Sequence, residues 1–364
     1  LIPFARRHGL KPWLSMRMND LHNVDDPQSY MHSTFWREHP EYRRIPWRET
    51  DWRDRAFDYA HPAVRDYHFA LVREYCHRYD FDGLELDWMR FGFHLKPGHE
   101  WKDGPLITDF VRRTRRLLDE WEKKRGHRIA LGARVPSRPQ TAVDLGLDGA
   151  LWAREGLIQM LVVTPFWASI ETDMPLELWR RLAGGQVTLA AGLELLLRPY
   201  HAYRPLGYNT LETVRGAAAS LLARGADRIY LFNYMDSQTA MPDLANYTAL
   251  LRECGELATL AGKPRRHVIT YSDTYAPGEP QGAQLPRTPA GKEWASCRLD
   301  VGPALQRAVL RMQLEEAELA SVRVNGAWCQ AAPGEEKFQC WQCPAPLGGL
   351  AVIDVQASRA GKAH

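Results

Sequence analysis

The sequence predicts an α/β fold: a (β/α)8 TIM barrel lacking its first two strands, followed by a small C-terminal β-sandwich. Three observations lead there. Short apolar runs alternate with helical stretches from about residue 10 to residue 262, the pattern of a parallel sheet with crossover helices. The runs lead into polar or aromatic loops and none into a glycine-rich phosphate loop, which argues against a nucleotide-binding sheet. Beyond about residue 265 the pattern turns to period-2 runs and turns. These features place a barrel domain at 1–264 and a β-sandwich domain at 265–364.

The elements follow in order. LKPWLSMRM (10–18) is the first strand, with Trp13, Ser15 and Arg17 on one face. A long polar and aromatic loop runs to about His61, and Pro62 opens a helix in which Val64, Tyr67, Leu71 and Tyr75 keep helical spacing. FDGLELDWM is the second strand, 106–125 an amphipathic helix, and HRIALGARVP the third strand. IQMLVVTPFW (158–167), QVTLAAGLEL (186–195) and DRIYLFNYM (227–235) complete six strands. PLELWRRLAG, NTLETVRGAAASLLARG and a last helix, LANYTALLRECGELATLAG, lie around them. A full barrel needs eight strands, and LIPFARRHGLKPWLSMRM reads as the end of a helix running into a strand. The two unseen strands are therefore expected ahead of residue 1. In the C-terminal part EWASCRLDV, RAVLRMQLE, ASVRVNGAW, KFQCWQC and GLAVIDVQ read as strands, with Asn325-Gly326 as a hairpin turn. Packing against the barrel is the expected role of this part, with carbohydrate binding as the alternative.

Composition narrows the function. The net charge is +3 and the charges are mixed, with no basic block, so nucleic acid is not an expected partner. No run reaches the roughly 18 apolar residues of a membrane helix. The 13 Trp and 14 Tyr suit either core packing or stacking on sugar rings. Of six cysteines only Cys340-Trp-Gln-Cys343 has metal-like spacing, and no second pair completes four ligands. His22, Asp25 and Asp26 match no metal motif. No metal or cofactor is expected. A disulfide from Cys329 to Cys340 or Cys343, a homo-oligomeric state and the cellular compartment stay open.

The candidate site comes from the acids. Leu84 and Leu86 suit the layer between strand and helix, so Glu85 and Asp87 face the barrel interior near its C-terminal mouth, with Asp87 nearer the rim. A salt bridge to Arg17 or Arg134 is the structural alternative. By strand count, Glu194 ends a strand on the far side of the mouth. Two such carboxylates are what glycosidic hydrolysis requires: one protonates the leaving oxygen, the other attacks or activates water. Asp87, Glu85 and Glu194 are the catalytic candidates. Arg17, Asn19, Asp20, Tyr59, Trp88, Arg134, Trp167, Asn233 and Tyr234 are the substrate-binding candidates, with a carbohydrate as the partner. Asp20 and Asp236 stand in reserve as second carboxylate.

The phrases GLKPWLSMRMNDLH, FDYAHPAVRDYHFALVREYCHRYDFDGLELDWMRF and RIALGARVP resemble bacterial glycosyl-hydrolase-like barrels related to the family-10-like group. The resemblance covers Gly9 to Gly262 and is strongest from Phe57 to Arg90. It implies a TIM barrel, glycosidase-type activity, and a site at the strand ends that maps to Glu85 and Asp87. It does not carry a substrate, and Glu194 rests on strand count alone.

Overall fold

The computed structural model describes residues 1–364 except 49, 167–168, 203–206, 290–292, 317, 336, 360–361 and 364. The chain forms two compact units. One comprises Leu1–Phe166, Glu177–Ala190 and Thr274–Glu279; the other comprises Trp167–Leu176, Ala191–Asp273 and Pro280–His364.

The first unit holds β1 (Trp13–Arg17), β2 (Gly83–Asp87), β3 (Ala130–Pro136), β4 (Met160–Thr164) and the start of β5 (Thr188–Leu193). β1, β2, β3 and β4 pair in that order, all parallel. The helix Pro62–Arg78 precedes β2 and the helix Glu100–Arg125 follows it. Each buries one stripe: Val64, Phe69, Val72 and Cys76 on the former, Ile107, Phe110, Val111 and Leu118 on the latter. The second helix begins six residues earlier than expected, with Pro105 inside it. Proline in a helical pattern reads as a start signal, but near an N-terminus it removes only one intrahelical hydrogen bond. Gly126 ends this helix at φ 73°, in the left-handed region that glycine enters without steric cost.

The second unit holds the end of β5, the short pair β6 (Leu196–Leu197) and β7 (Gly207–Tyr208), and β8 (Arg228–Leu231). β8 neighbours β5 in the strand order, and all six strands expected for this part of the chain are present. The helix Leu211–Ala223 opens on a capping box between Thr210 and Thr213. A Cβ at its Gly216 would lie 2.1 Å from the Arg266 carbonyl oxygen, so only glycine permits this backbone approach. The last helix is a correction. It is two pieces, Leu244–Glu253 and Leu257–Leu260, interrupted around Gly255.

The C-terminal strands are β9 (Trp294–Asp300), β10 (Val309–Glu315), β11 (Glu318–Val324), β12 (Ala327–Trp328), β13 (Gln330–Glu335), β14 (Phe338–Gln342), β15 (Leu350–Arg359) and β16 (Lys362–Ala363). They form two four-stranded sheets, β13-β14-β10-β16 and β12-β11-β15-β9, whose named pairs are antiparallel. Both sheets contribute to one cluster containing Met312, Val322, Val324, Ile353 and Val355. Asn325 and Gly326 have φ of 51° and 79° and join β11 to β12, the backbone a two-residue hairpin turn needs. Strand alternation also separates the CxxC pair. Cys343 joins the cluster and Cys340 does not, as expected for residues three apart on an extended chain. All six cysteines are free thiols. Burial, then the neighbouring Cys343 thiol, pushes the Cys329 thiol up.

Candidate functional site

Paired residues on parallel strands face the same side, so the register of β1, β2 and β3 defines three rows. The lowest is Trp13, Gly83 and Ala130; the middle is Ser15, Glu85 and Gly132; the upper is Arg17, Asp87 and Arg134. The glycines explain the lowest row. A Cβ at Gly83 would lie 2.2 Å from Trp13 Cε2, and one at Gly132 would lie 2.8 Å from Trp13 Cζ3. The indole therefore occupies the space that side chains at those two positions would fill.

Above that apolar floor the rows are polar. Ser15 Oγ donates to Glu85 Oε1 at 2.7 Å. Arg134 Nη1 donates to Asp87 Oδ1 at 3.0 Å and Oδ2 at 3.1 Å, and the Met89 N–H donates to Oδ1 at 2.9 Å. Asp87 is 1% exposed and Arg134 0%, while Glu85 is also buried. Leu84 and Leu86, on the other face of β2, are fully buried as well. The strand thus lies between an apolar layer and an ionic one. Burying charges costs several kcal/mol per ion unless pairing and hydrogen bonds offset it, and the Arg134 pair with the Met89 N–H supplies that offset for Asp87.

The loop after β1 carries a second network. Arg17 Nη1 donates to Asp20 Oδ2 at 2.8 Å, and His22 Nδ1 lies 2.5 Å from Asp20 Oδ1. Arg90 Nη2 lies 2.6 Å from His22 Nε2. A guanidinium only donates, so Nε2 accepts and the proton sits on Nδ1, facing Asp20. Burial pushes the Asp20 carboxyl up, but the His22 N–H, Arg17 and the His22 ring together pull it below its usual range.

The remaining candidates divide. Asn19 is consumed by the fold: its amide nitrogen donates to the carbonyls of Phe57 at 3.1 Å and Phe93 at 2.9 Å, and its oxygen accepts from the Phe57 N–H at 3.0 Å. Tyr59 donates to the Met18 carbonyl at 2.5 Å. Tyr59 and Trp88 are both 0% exposed, packed with His94 and Phe110, so neither offers a ring face to a sugar in this structure. Glu194 and Tyr234 belong to the second unit and are buried. The Glu194 carbonyl accepts from Asn209 Nδ2 at 2.7 Å and Tyr234 Oη at 3.0 Å. Burial, then the Glu194 charge, raises the Tyr234 hydroxyl above its usual range. Asn233 adopts a left-handed φ of 63°. Asp236 caps a short helix through Thr239 N at 2.7 Å, and Asp25 pairs with Arg55 at 2.6 Å. Trp167 lies outside the described residues.

The structure therefore joins Asp87 to Arg134, Glu85 to Ser15, and Arg17 to Asp20. Sequence reading missed the His22–Arg90 contact, which spans 68 positions and leaves no periodic trace. Cavities among the described residues do not coincide with the polar rows. One of about 900 Å³ is lined by Leu244, Arg252 and Lys263, and one of about 480 Å³ by Arg6, Lys11, Trp13 and Arg128. Among the described residues no group of three or more His, Cys, Asp or Glu is placed to hold a metal ion.

Comparison with known proteins gives glycoside hydrolases as structural neighbours. A family 18 N-acetylglucosaminidase from Paenibacillus barengoltzii aligns with 52% of this chain and 77% of its own, at 14% identity and TM-score 0.37. A GH29 α-L-fucosidase from Bacteroides thetaiotaomicron aligns over 98% and 70%, at 10% identity and TM-score 0.37. The chitinase ChiA74 from Bacillus thuringiensis aligns over 84% and 77%, at 9% identity and TM-score 0.38. These neighbours are enzymes of families 18 and 29 or chitinases, and the family-10-like resemblance has no counterpart among them. No family model and no curated protein matches the chain.

Proposed function

We propose that this protein is a glycoside hydrolase that cleaves glycosidic bonds in a poly- or oligosaccharide with two carboxylates. The observation that supports the reading is the row of buried charged groups at the C-terminal end of β2 and β3, set above an apolar floor. Parallel α/β folds place their sites at that end of the strands. Asp87 accepts hydrogen bonds on both oxygens, which suits a nucleophile or base and not a proton donor. Glu85 and Glu194 are then the candidates for the general acid. In this reading residues 1–264 are a catalytic barrel and 265–364 an accessory β domain.

The second reading is a non-catalytic carbohydrate-binding barrel. It draws on the same contact: an Asp87 held by Arg134 and the Met89 N–H already has structural partners. A reducing-end assay across a polysaccharide panel separates the two. For a hydrolase, Asp87→Asn and at least one of Glu85→Gln and Glu194→Gln each lower kcat by 10²-fold or more, with circular dichroism unchanged. Sugar binding without turnover in the wild type would establish the binding reading instead.

A further inference from the structure

We propose that the outer face of the β12-β11-β15-β9 sheet is a binding platform for a neutral polysaccharide chain. Along β15 burial alternates without a break: Ala351, Ile353, Val355 and Ala357 point inward, while Val352, Asp354 and Gln356 point out. The inward residues Ala351, Ile353 and Val355 join Val322 and Val324 of β11 in the core cluster.

The outward set is laid out by register. Trp328 pairs with Arg323, Arg323 with Asp354, and Asp354 with Ser296, forming one row across four strands. Trp294 pairs with Gln356 in the next row. The two indoles have centroids 5.9 Å apart and planes inclined at 52°. The Arg323 guanidinium carbon lies 3.8 Å from the Trp294 centroid and 5.6 Å from that of Trp328. Asp354 accepts from Ser296 Oγ at 2.6 Å and from Arg323 Nη2 at 3.4 Å. Trp328 is 62% exposed, so folding does not use most of its apolar area.

The chemistry selects the ligand. Indole faces pair with flat apolar surfaces that carry polar rims, and a pyranose presents C–H groups on its face and hydroxyls at its rim. Ser296, Asp354, Arg323 and Gln356 supply donors and acceptors beside the rings. The Arg323 and Asp354 charges cancel, and outward Arg298 is paired with Asp173 at 2.8 Å. A nucleic acid strand would need unbalanced cations for its phosphates. A peptide adding as a strand would pair along an edge strand, β12 or β9, and would not use the indole faces that the outer surface of the sheet presents. The platform shares its ligand class with the proposed activity but rests on different residues.

The test is affinity electrophoresis of the full chain in gels containing hydroxyethyl cellulose, glycol chitin or xylan, with carboxymethyl cellulose and single-stranded DNA as anionic probes. The expected result is retardation in at least one neutral gel. Trp328→Ala should weaken it at least tenfold in Kd and Trp328→Phe only slightly, with turnover of short oligosaccharides unchanged. No retardation in any neutral gel, equal retardation of Trp328→Ala, or retardation by the anionic polymers alone would each overturn the platform. A retarded wild type that hydrolyses nothing sinks the catalytic reading and leaves the platform standing. Hydrolysis without Trp328-dependent retardation does the reverse.

Discussion

β2 and β15 both alternate, but the alternation means different things. In β2 every residue from Gly83 to Asp87 is buried, so the pattern separates two interiors, one apolar and one ionic. In β15 the pattern separates core from solvent. A residue is out of place by opposite criteria in the two strands. Charge inside is the anomaly in the parallel sheet, and aromatic surface outside is the anomaly in the antiparallel one. Each anomaly is the observation from which one of the functional proposals starts.

The comparison can be broken at its strongest point. Asp87→Ala removes one partner of the buried pair with Arg134, and such losses cost about 3–5 kcal/mol. Urea unfolding should show a loss of that size. A change below about 1 kcal/mol would mean that the ionic layer is far more hydrated than its burial indicates.

The aromatic cluster beside that layer predicts an acid limit. Burial lowers His94 to about 3 and His68 to about 4. His94 Nε2 lies 2.8 Å from the Trp88 carbonyl and His68 Nδ1 lies 2.8 Å from the Val64 carbonyl, so each neutral ring donates there. The folded state therefore binds fewer protons than the unfolded chain below the ordinary histidine value of about 6.5. This stabilisation is full above about pH 6.5, shrinks as pH falls, and is gone below the folded values. Stability measured from pH 7 to pH 4 should drop, and His68→Gln should make the slope shallower. An unchanged slope would show that the ring is protonated inside the fold.

Gly83→Ala tests the floor beneath the charges. Its Cβ meets the Trp13 ring, and overpacking of this kind costs about 1–3 kcal/mol. Trp13→Leu in the same chain should restore most of the loss if the indole is the cause, as read from the midpoint of chemical unfolding. On the other strand, Trp328→Ala should change stability by no more than about 0.5 kcal/mol, since surface substitutions seldom do more. A larger loss would make Trp328 a structural residue and weaken the contrast.

The sequence by itself determined the elements. Six strands, most helices, the Asn325-Gly326 turn and the exchange of mixed for pure-strand texture all follow from periodicity and turn residues, which act over a few positions. The facing of Glu85 and Asp87 away from Leu84 and Leu86 was equally local, because a strand has period 2. The start of the Glu100–Arg125 helix and the break near Gly255 were misread because single proline and glycine signals are weak against packing. The partners were legible only in part. The sequence offered Arg17 or Arg134 for the acids of β2, and the structure pairs Arg134 with Asp87. That Glu85 meets Ser15, His22 meets Arg90 and Trp13 fills the space over Gly83 depends on register between strands and loops tens of residues apart. The same holds for Tyr59 and Trp88, whose sequence suits a binding wall as well as a core. Only the tertiary structure decided these, since parallel pairing has no local signal and burial belongs to the assembled layers, not to any one segment.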